Sequence, residues 1–291
     1  MKFFILALAF LSFNSYSQSL SEVVTPLIQE LQKKLEAGAY EQMALNAHIK
    51  KARNESFRLQ AIGRMFSKEA KIFKSFKGDM KNFEDHLGQI GKWSDLLNQQ
   101  NLTPNQVQFY QQNYQNELRA LAIFLEDSNF KVTLNNYLAA INNLNFDEAR
   151  TKAIVFKSIK AEIHEVLEKR YDFTYGETGL HEFRRNIRWP IMELDTFKNY
   201  FTTDKRSCPN SINFQYGAKS LYASVKANPK ASFKVNYCPY IELVGAVEYI
   251  GVVKDGLEKQ GLLEEKVSSD IYQFSLDMEK EVKSNVLPKI F

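Results

Sequence analysis

One histidine and three arginines near the middle of the chain have the clearest capacity for chemistry. His181, Arg184, Arg185 and Arg188 stand at positions i, i+3, i+4 and i+7. On a helix this spacing places all four side chains within an arc of roughly 100°. A guanidinium group binds phosphate oxygens through two parallel hydrogen bonds and stays charged, and an imidazole can donate a further bond. The row therefore predicts binding of several phosphate groups in a line.

A second group of bases precedes this row. The range 44–81 contains ten Lys or Arg and only three Asp or Glu. If the range is one long helix, then Arg53, Arg64, Lys68 and Lys71 point within about 60° of one another. We expect these four residues to form the opposite wall of a basic groove. A solvated helix face is the alternative interpretation of the same charge run.

The overall charge leaves the role of these bases open. The chain has 291 residues, with 38 Lys or Arg against 34 Asp or Glu, and a net charge of +4 does not require a polyanion partner. The range 257–283 carries seven acids and four bases. Those acids could pair with the arginines inside the fold. The alternative function is then a structural or interaction protein of the periplasm, whose basic row pairs internally or with an acidic protein partner.

Other chemistry finds little support in the sequence. The string Glu279–Lys283 spells the ExExK pattern of triphosphate tunnel enzymes, but that chemistry requires carboxylates alternating on a barrel strand around a metal. A phosphohydrolase with a nucleophilic His181 is disfavoured because no acid partner is evident. The four histidines are too scattered to form a metal site, and no phosphate loop, GxSxG or HExxH motif is present. We predict no catalytic residue, no metal, no cofactor and no specific nucleic-acid partner.

The amino-terminal segment resembles an export signal. Met1–Ser17 begins with the positive Lys2, continues with the apolar run Phe3–Phe13, and ends with Ser15 and Ser17 at the small-residue positions of a cleavage site. The apolar run is short for a membrane span, although an uncleaved anchor is the alternative. We expect a soluble protein exported across the inner membrane, most simply to the periplasm.

The cysteine content agrees with that destination. Cys208 and Cys238 are the two cysteines of the chain, and each precedes a proline, which is typical of loops. In an oxidising compartment such a pair is most simply a disulfide. Closing a loop of this length stabilises a fold by roughly 3–4 kcal/mol in the chain-entropy description. A redox or metal pair would need CxxC-like spacing or a nearby histidine.

The elements that must position these residues are helices. Apolar residues recur at intervals of three and four along most of the chain, which predicts an all-α protein of long antiparallel helices in two packed bundles. Pro190 should kink the His/Arg helix or end it at Trp189. The best candidate strand is Phe233–Tyr237. The helical segments are 20–35, 44–77, 77–98, 105–127, 146–169, 178–200, 240–260 and 263–286.

A boundary is indicated near residues 100–104. The range 98–116 contains twelve Asn or Gln in nineteen residues, with Pro104 at a typical helix start. We therefore expect an amino-terminal bundle half over 18–100 and a carboxy-terminal helical part over 101–291. The second part holds the His/Arg helix and the predicted disulfide loop.

The His/Arg helix resembles a known family. The pattern His-x-x-Arg-x-x-x-Arg, formed by His181, Arg184 and Arg188, is similar to the motif of the conserved histidine α-helical domain, or CHAD, family. The range 83–97, FEDHLGQIGKWSDLL, resembles the family's acidic Leu-Gly helix. The resemblance implies two helical bundles related by pseudo-symmetry around a basic pore or groove. It also implies non-catalytic binding of inorganic polyphosphate or a similar polyanion.

Overall fold

A computed structural model describes residues 19–36, 38–204, 207–228 and 231–291. The predicted signal Met1–Ser17 lies outside these ranges. The described part contains eleven α-helices and two strands of three residues each, so the all-α prediction is confirmed. No helix in this part is long and apolar enough to cross a membrane.

In the described residues, six helices lie in the first half of the chain and five in the second. The first six are α1 (Leu20–Leu35), α2 (Tyr40–Ile49), α3 (Arg53–Met65), α4 (Lys71–Leu97), α5 (Pro104–Asp127) and α6 (Phe130–Asn143). The others are α7 (Glu148–Glu168), α8 (Glu182–Thr196), α9 (Ile212–Lys219), α10 (Tyr237–Lys259) and α11 (Ser269–Glu281). Strands β1 (Phe201–Thr203) and β2 (Phe233–Val235) pair in parallel, with Phe201 opposite Phe233. The strand predicted at Phe233–Tyr237 is present over its first three residues as β2, while Tyr237 begins α10.

The prediction of one long helix over 44–77 is wrong. The chain forms α2, α3 and the start of α4 there, with breaks at 50–52 and 66–70. At the first break Lys51 takes a φ of 55°, a left-handed conformation that interrupts the helix. Because α3 ends at Met65, the angular argument still places Arg53 and Arg64 on one face of α3 but no longer applies to Lys68 and Lys71.

Of the two effects expected of Pro190, a kink or an end of the helix at Trp189, the end at Trp189 is wrong. Pro190 lies inside α8, which continues to Thr196. The proline costs about 3 kcal/mol through its missing backbone hydrogen bond. Ile191 and Leu194 beyond it are buried, and burying each such side chain contributes roughly 1.5–3 kcal/mol. Packing of the second half of α8 thus offsets the effect of the proline.

One continuous core runs from Leu20 to Ile290 and joins both halves of the chain. Helix α8 lies at the junction, because it packs against α3, α7 and α10. Cys208 and Cys238 form the predicted disulfide, which ties the segment before α9 to the start of α10. These contacts fix the position of α8, and with it the positions of the predicted site residues.

Candidate anion-binding site

The chain enters α8 through a π-helical segment, Gly176–His181, so His181 lies at the junction of two helix types. Helix α8 is amphipathic in this region. Phe183 and Ile187 are fully buried, while Arg185 is exposed and Arg184 and Arg188 lie at intermediate depth. The predicted division of this helix into an apolar face and a basic face is therefore present.

Arg184 extends across α10. Its Nε donates a hydrogen bond to the carbonyl oxygen of Val247 at 2.9 Å. A Cβ atom added to Gly251 would lie 2.7 Å from Arg184 Nη2, so only a glycine leaves room for the guanidinium in this position. In the described part of the chain Arg184 forms no ion pair with a carboxylate. Its charge is thus held in place by a neutral acceptor.

Arg188 lies on an aromatic ring. Its guanidinium carbon is 4.1 Å from the centroid of Phe57, a cation–π contact between α8 and α3. Its Nε is buried without a hydrogen-bond partner among the described residues. Burial, followed by the charge of Arg184, lowers the pKa of Arg188 to about 10, although Glu84 acts in the opposite direction. A buried N–H group without a hydrogen-bond partner is unfavourable, and a bound anion that accepts from Arg188 Nε would relieve that cost.

Arg53 reaches the same ring from α3. Its guanidinium carbon is 5.3 Å from the centroid of Phe57, and a Cβ atom added to Gly88 would lie 2.9 Å from its Nη2. Arg53 also forms an ion pair with Glu84 on α4 at 2.7 Å. The structure therefore brings Arg53 to the α8 arginines, with part of its charge already neutralised.

His181 is surrounded by positive charge. Burial lowers its pKa to about 4, and the charges of Lys254, Arg185, Arg184 and Arg188 act in the same direction. Its Nδ1 is buried without a hydrogen-bond partner among the described residues, and its Nε2 lies 3.9 Å from Glu177. The imidazole is therefore neutral at pH 7 and can gain a proton if an anion binds beside it.

Two lysines beside this group were missed by the sequence argument. Lys254 on α10 acts on His181, and both Lys254 and Lys92 on α4 pair with Glu258, at 2.6 and 3.4 Å. Burial tends to raise the pKa of Glu258, but these lysines lower it on balance. In the sequence, the position of Lys254 three residues after Gly251 was the available indication that this lysine belongs to the site. That spacing can be interpreted only when α10 is known to pack on α8.

Arg185 has a local partner. It pairs with Glu182, one turn earlier, at 3.3 Å, and Glu182 also accepts a hydrogen bond from Lys169 at 3.0 Å. Arg185 is half exposed at its side chain. Its charge is thus shared within α8 and lies at the edge of the site.

The remaining predicted residues lie at the end of α3 and beyond it. Arg64 pairs with Glu162 on α7 at 2.6 Å, and with Lys68 it lines a groove of about 350 Å³ between α3, α4 and α7. Lys71 is exposed at the first position of α4. Arg64 is eleven residues from Arg53 on α3, about 16 Å along the helix axis. Arg64 nevertheless reaches α8, because its guanidinium carbon is 4.4 Å from the ring centroid of Trp189, and that of Arg188 is 5.9 Å from the same residue's ring. The structure therefore brings both Arg53 and Arg64 to α8, whereas Lys68 lies in the groove beside α7.

The acids of 257–283 do not neutralise the α8 arginines. In the described part their ion pairs are those of Glu258 with Lys92 and Lys254, and of Glu279 with Lys283. Arginines of α3 use other carboxylates: Arg58 pairs with Asp195 at 2.5 Å. Burial raises the pKa of Asp195 despite this partner. Internal pairing is therefore extensive along α3 and incomplete along α8.

The described residues contain no group of three or more His, Cys, Asp and Glu side chains that could hold a metal ion. No protein-family model matches the chain, and no curated protein or solved structure matches it significantly. The resemblance to the CHAD family therefore rests on the residues of α4 and α8 alone.

Proposed function

We propose that the protein binds inorganic polyphosphate or another phosphate-rich polyanion, without catalysis, at a site centred on α8. The binding groups are Arg184, Arg188 and His181, with Lys254 beside them and Arg53 at the rim. The observation that carries the proposal is that Arg184 and Arg188 lack a carboxylate partner in the described part of the chain, although both are held in fixed positions. Such pre-positioned guanidinium groups favour phosphate oxygens as partners.

An extended anion suits this arrangement better than a single phosphate. The cations come from α3, α8 and α10, and His181 and Arg188 are seven residues apart, about 10 Å along the helix axis. A polymer can place successive phosphate groups beside successive cations. The motif similarity to the CHAD family supports the same ligand class.

The proposal also concerns the cellular location. The Met1–Ser17 segment supports export, and the Cys208–Cys238 disulfide is compatible with an oxidising compartment such as the periplasm. The ligand would then be a polyanion met outside the cytoplasm.

An interaction protein remains the second candidate. It is favoured by the ion pairs of Arg53, Arg58 and Arg64, which show that many bases of the 44–81 range serve the fold. In that case the unpaired α8 arginines would receive an acidic segment of a protein partner. Polyphosphate would then bind weakly and without dependence on both arginines.

Titration of long-chain polyphosphate into the mature protein, followed by calorimetry, tests the first candidate. We expect the double variant Arg184→Ala/Arg188→Ala to bind roughly 100-fold more weakly, because two charge-assisted contacts of about 1.5 kcal/mol each are lost. The variant Lys68→Ala/Lys71→Ala removes the same number of charges away from the α8 arginines and should change affinity less than threefold. Equal losses in the two variants, or no binding by the unmodified protein, would contradict the proposal.

A further inference from the structure

The groove of about 350 Å³ beside α7 has two walls. On one wall α7 contributes Ser158, Glu162 and Glu165, which follow one another at intervals of four and three and so lie on one face of the helix. On the other wall the connection between α3 and α4 contributes Lys68, and α4 contributes Lys77. Acids on α7 therefore face bases on the opposite wall across a space large enough for a small molecule.

Most of these charges do not meet. Among the described residues one ion pair crosses the groove, from Arg64 to Glu162 at 2.6 Å. Glu69, which also lines the groove, pairs with Arg150 at 3.0 Å. The charged lining residues without an ion-pair partner in the described part are Lys68, Lys77, Lys157 and Glu165. Opposite charges that face one another without pairing leave room for a ligand that carries both signs.

A buried carboxyl group lies directly behind this groove. Glu193 on α8 is fully buried, and neither of its carboxyl oxygens has a hydrogen-bond partner among the described residues. Burial, followed by the charge of Glu162, raises the pKa of Glu193 well above its usual range, while Arg64 and Ser158 act in the opposite direction. All three of these neighbours line the groove. A hydrogen-bond donor that enters between Ser158 and Glu162 would relieve the cost of the unpartnered oxygens.

The groove also has an apolar part. Met65 is buried and Ile154 packs against the core, and both line the groove. A purely anionic ligand such as polyphosphate would meet the carboxylates of α7, and a purely cationic ligand would meet the unpaired lysines. A molecule with one ammonium group, one carboxylate group and an apolar side chain matches all three parts of the lining.

We propose that this groove binds a small zwitterion with an apolar side chain, such as a free α-amino acid. The ammonium group would donate to Glu165 and to the free oxygens of Glu193. The carboxylate group would accept from Lys68 and Lys77, and the side chain would contact the apolar part of the groove. The proposal does not rest on polyphosphate binding, because it uses none of the α8 arginines.

Calorimetric titration of the mature protein with leucine, methionine and phenylalanine tests this proposal. We expect at least one of these amino acids to bind with a dissociation constant below the millimolar range. Two analogues of that amino acid test the requirement for both charges: its amide, which lacks the carboxylate, and the acid without the amino group, which for leucine is isocaproate. Each analogue should bind about tenfold more weakly or worse, because a charge-assisted contact is lost.

Substitutions on each wall test the position of the ligand. Glu165→Gln should weaken binding of the amino acid about tenfold, and Glu168→Gln, three residues later on α7 at an exposed position, is the matched control. Lys68→Gln should have a similar effect, with the exposed Lys71→Gln as its control. Glu193→Gln keeps the shape of the side chain but places an amide N–H group beside the ammonium, so binding should again fall about tenfold.

Melting temperature and helical content show whether each variant is folded. If Glu193→Gln is not, the exposed variants decide the outcome. Arg184→Ala/Arg188→Ala should bind the amino acid normally, and Glu165→Gln should bind polyphosphate normally, so the two proposals can fail separately. Absence of binding by all three amino acids at millimolar concentration overturns this proposal. Equal binding by the charge-deficient analogues, or equal binding by the groove and control variants, also overturns it.

Discussion

Two arginines in different parts of the molecule lie over a glycine of a neighbouring helix. Arg53 on α3 covers Gly88 on α4, and Arg184 on α8 covers Gly251 on α10. The two arrangements are alike in geometry, with guanidinium nitrogens 2.9 and 2.7 Å from the position of an added Cβ atom. They differ in their partners. Arg53 pairs with Glu84, whereas Arg184 donates to the neutral carbonyl group of Val247.

The difference continues one turn further along each helix. Four residues after Arg53 the chain has Phe57, and four residues after Arg184 it has Arg188. The two positions meet, because Arg188 lies 4.1 Å above the Phe57 ring. In the α3 arrangement the charge of Arg53 is thus neutralised, and Phe57 supplies the ring on which Arg188 lies. In the α8 arrangement Arg184 and Arg188 have no carboxylate partner among the described residues. The binding capacity of a segment therefore depends less on how many bases it contains than on which of those bases have no carboxylate partner.

Substituting the glycine under each arginine should produce the largest difference in polyphosphate affinity between the two arrangements. Gly251→Ala should displace the Arg184 guanidinium and weaken polyphosphate binding roughly tenfold, the effect of losing one charge-assisted contact of about 1.5 kcal/mol. Gly88→Ala should displace Arg53 and change affinity less than threefold. Because alanine is a better helix former than glycine by about 1 kcal/mol, neither variant should lose stability in thermal unfolding. Similar losses of polyphosphate affinity in both variants would contradict the distinction between the α3 and α8 arrangements.

A smaller effect should arise from His181, which has no counterpart in the α3 arrangement. Its pKa of about 4 leaves it neutral in the free protein at neutral pH, and a bound anion raises that pKa. Binding therefore takes up a proton, and affinity should rise about fivefold as the pH falls from 7.5 to 5.5. His181→Gln should flatten this dependence in calorimetric titrations. A pH dependence that persists in the variant would instead belong to the ligand or to other groups.

The smallest expected effect is a gain in polyphosphate affinity. Glu84→Gln should free Arg53 from its ion pair and make the α3 arrangement resemble the α8 arrangement, so polyphosphate affinity should rise about threefold. Glu69→Gln, which removes a carboxylate paired with Arg150 in another region, is the matched control. A loss of affinity in Glu84→Gln would indicate that Glu84 orients Arg53 for the ligand.

The sequence predicts those features that depend on local periodicity. The amphipathic α8, the all-α class and the Cys208–Cys238 pair follow from spacing and composition. The breaks on either side of α3 and the continuation of α8 through Pro190 could not be predicted, since they depend on packing against distant helices. Lys92 and Lys254 could not be predicted for the same reason, since they come near the site only through the packing of α4 and α10.

The salt dependence of polyphosphate binding tests the central claim most directly. The logarithm of the affinity should fall linearly with the logarithm of the salt concentration, with a slope set by the number of neutralised phosphates. In Arg184→Gln/Arg188→Gln the magnitude of that slope should decrease by about two, and in Lys68→Gln/Lys71→Gln it should stay unchanged. The same slope in the first variant as in the unmodified protein would contradict a binding site built on the unpaired arginines of α8.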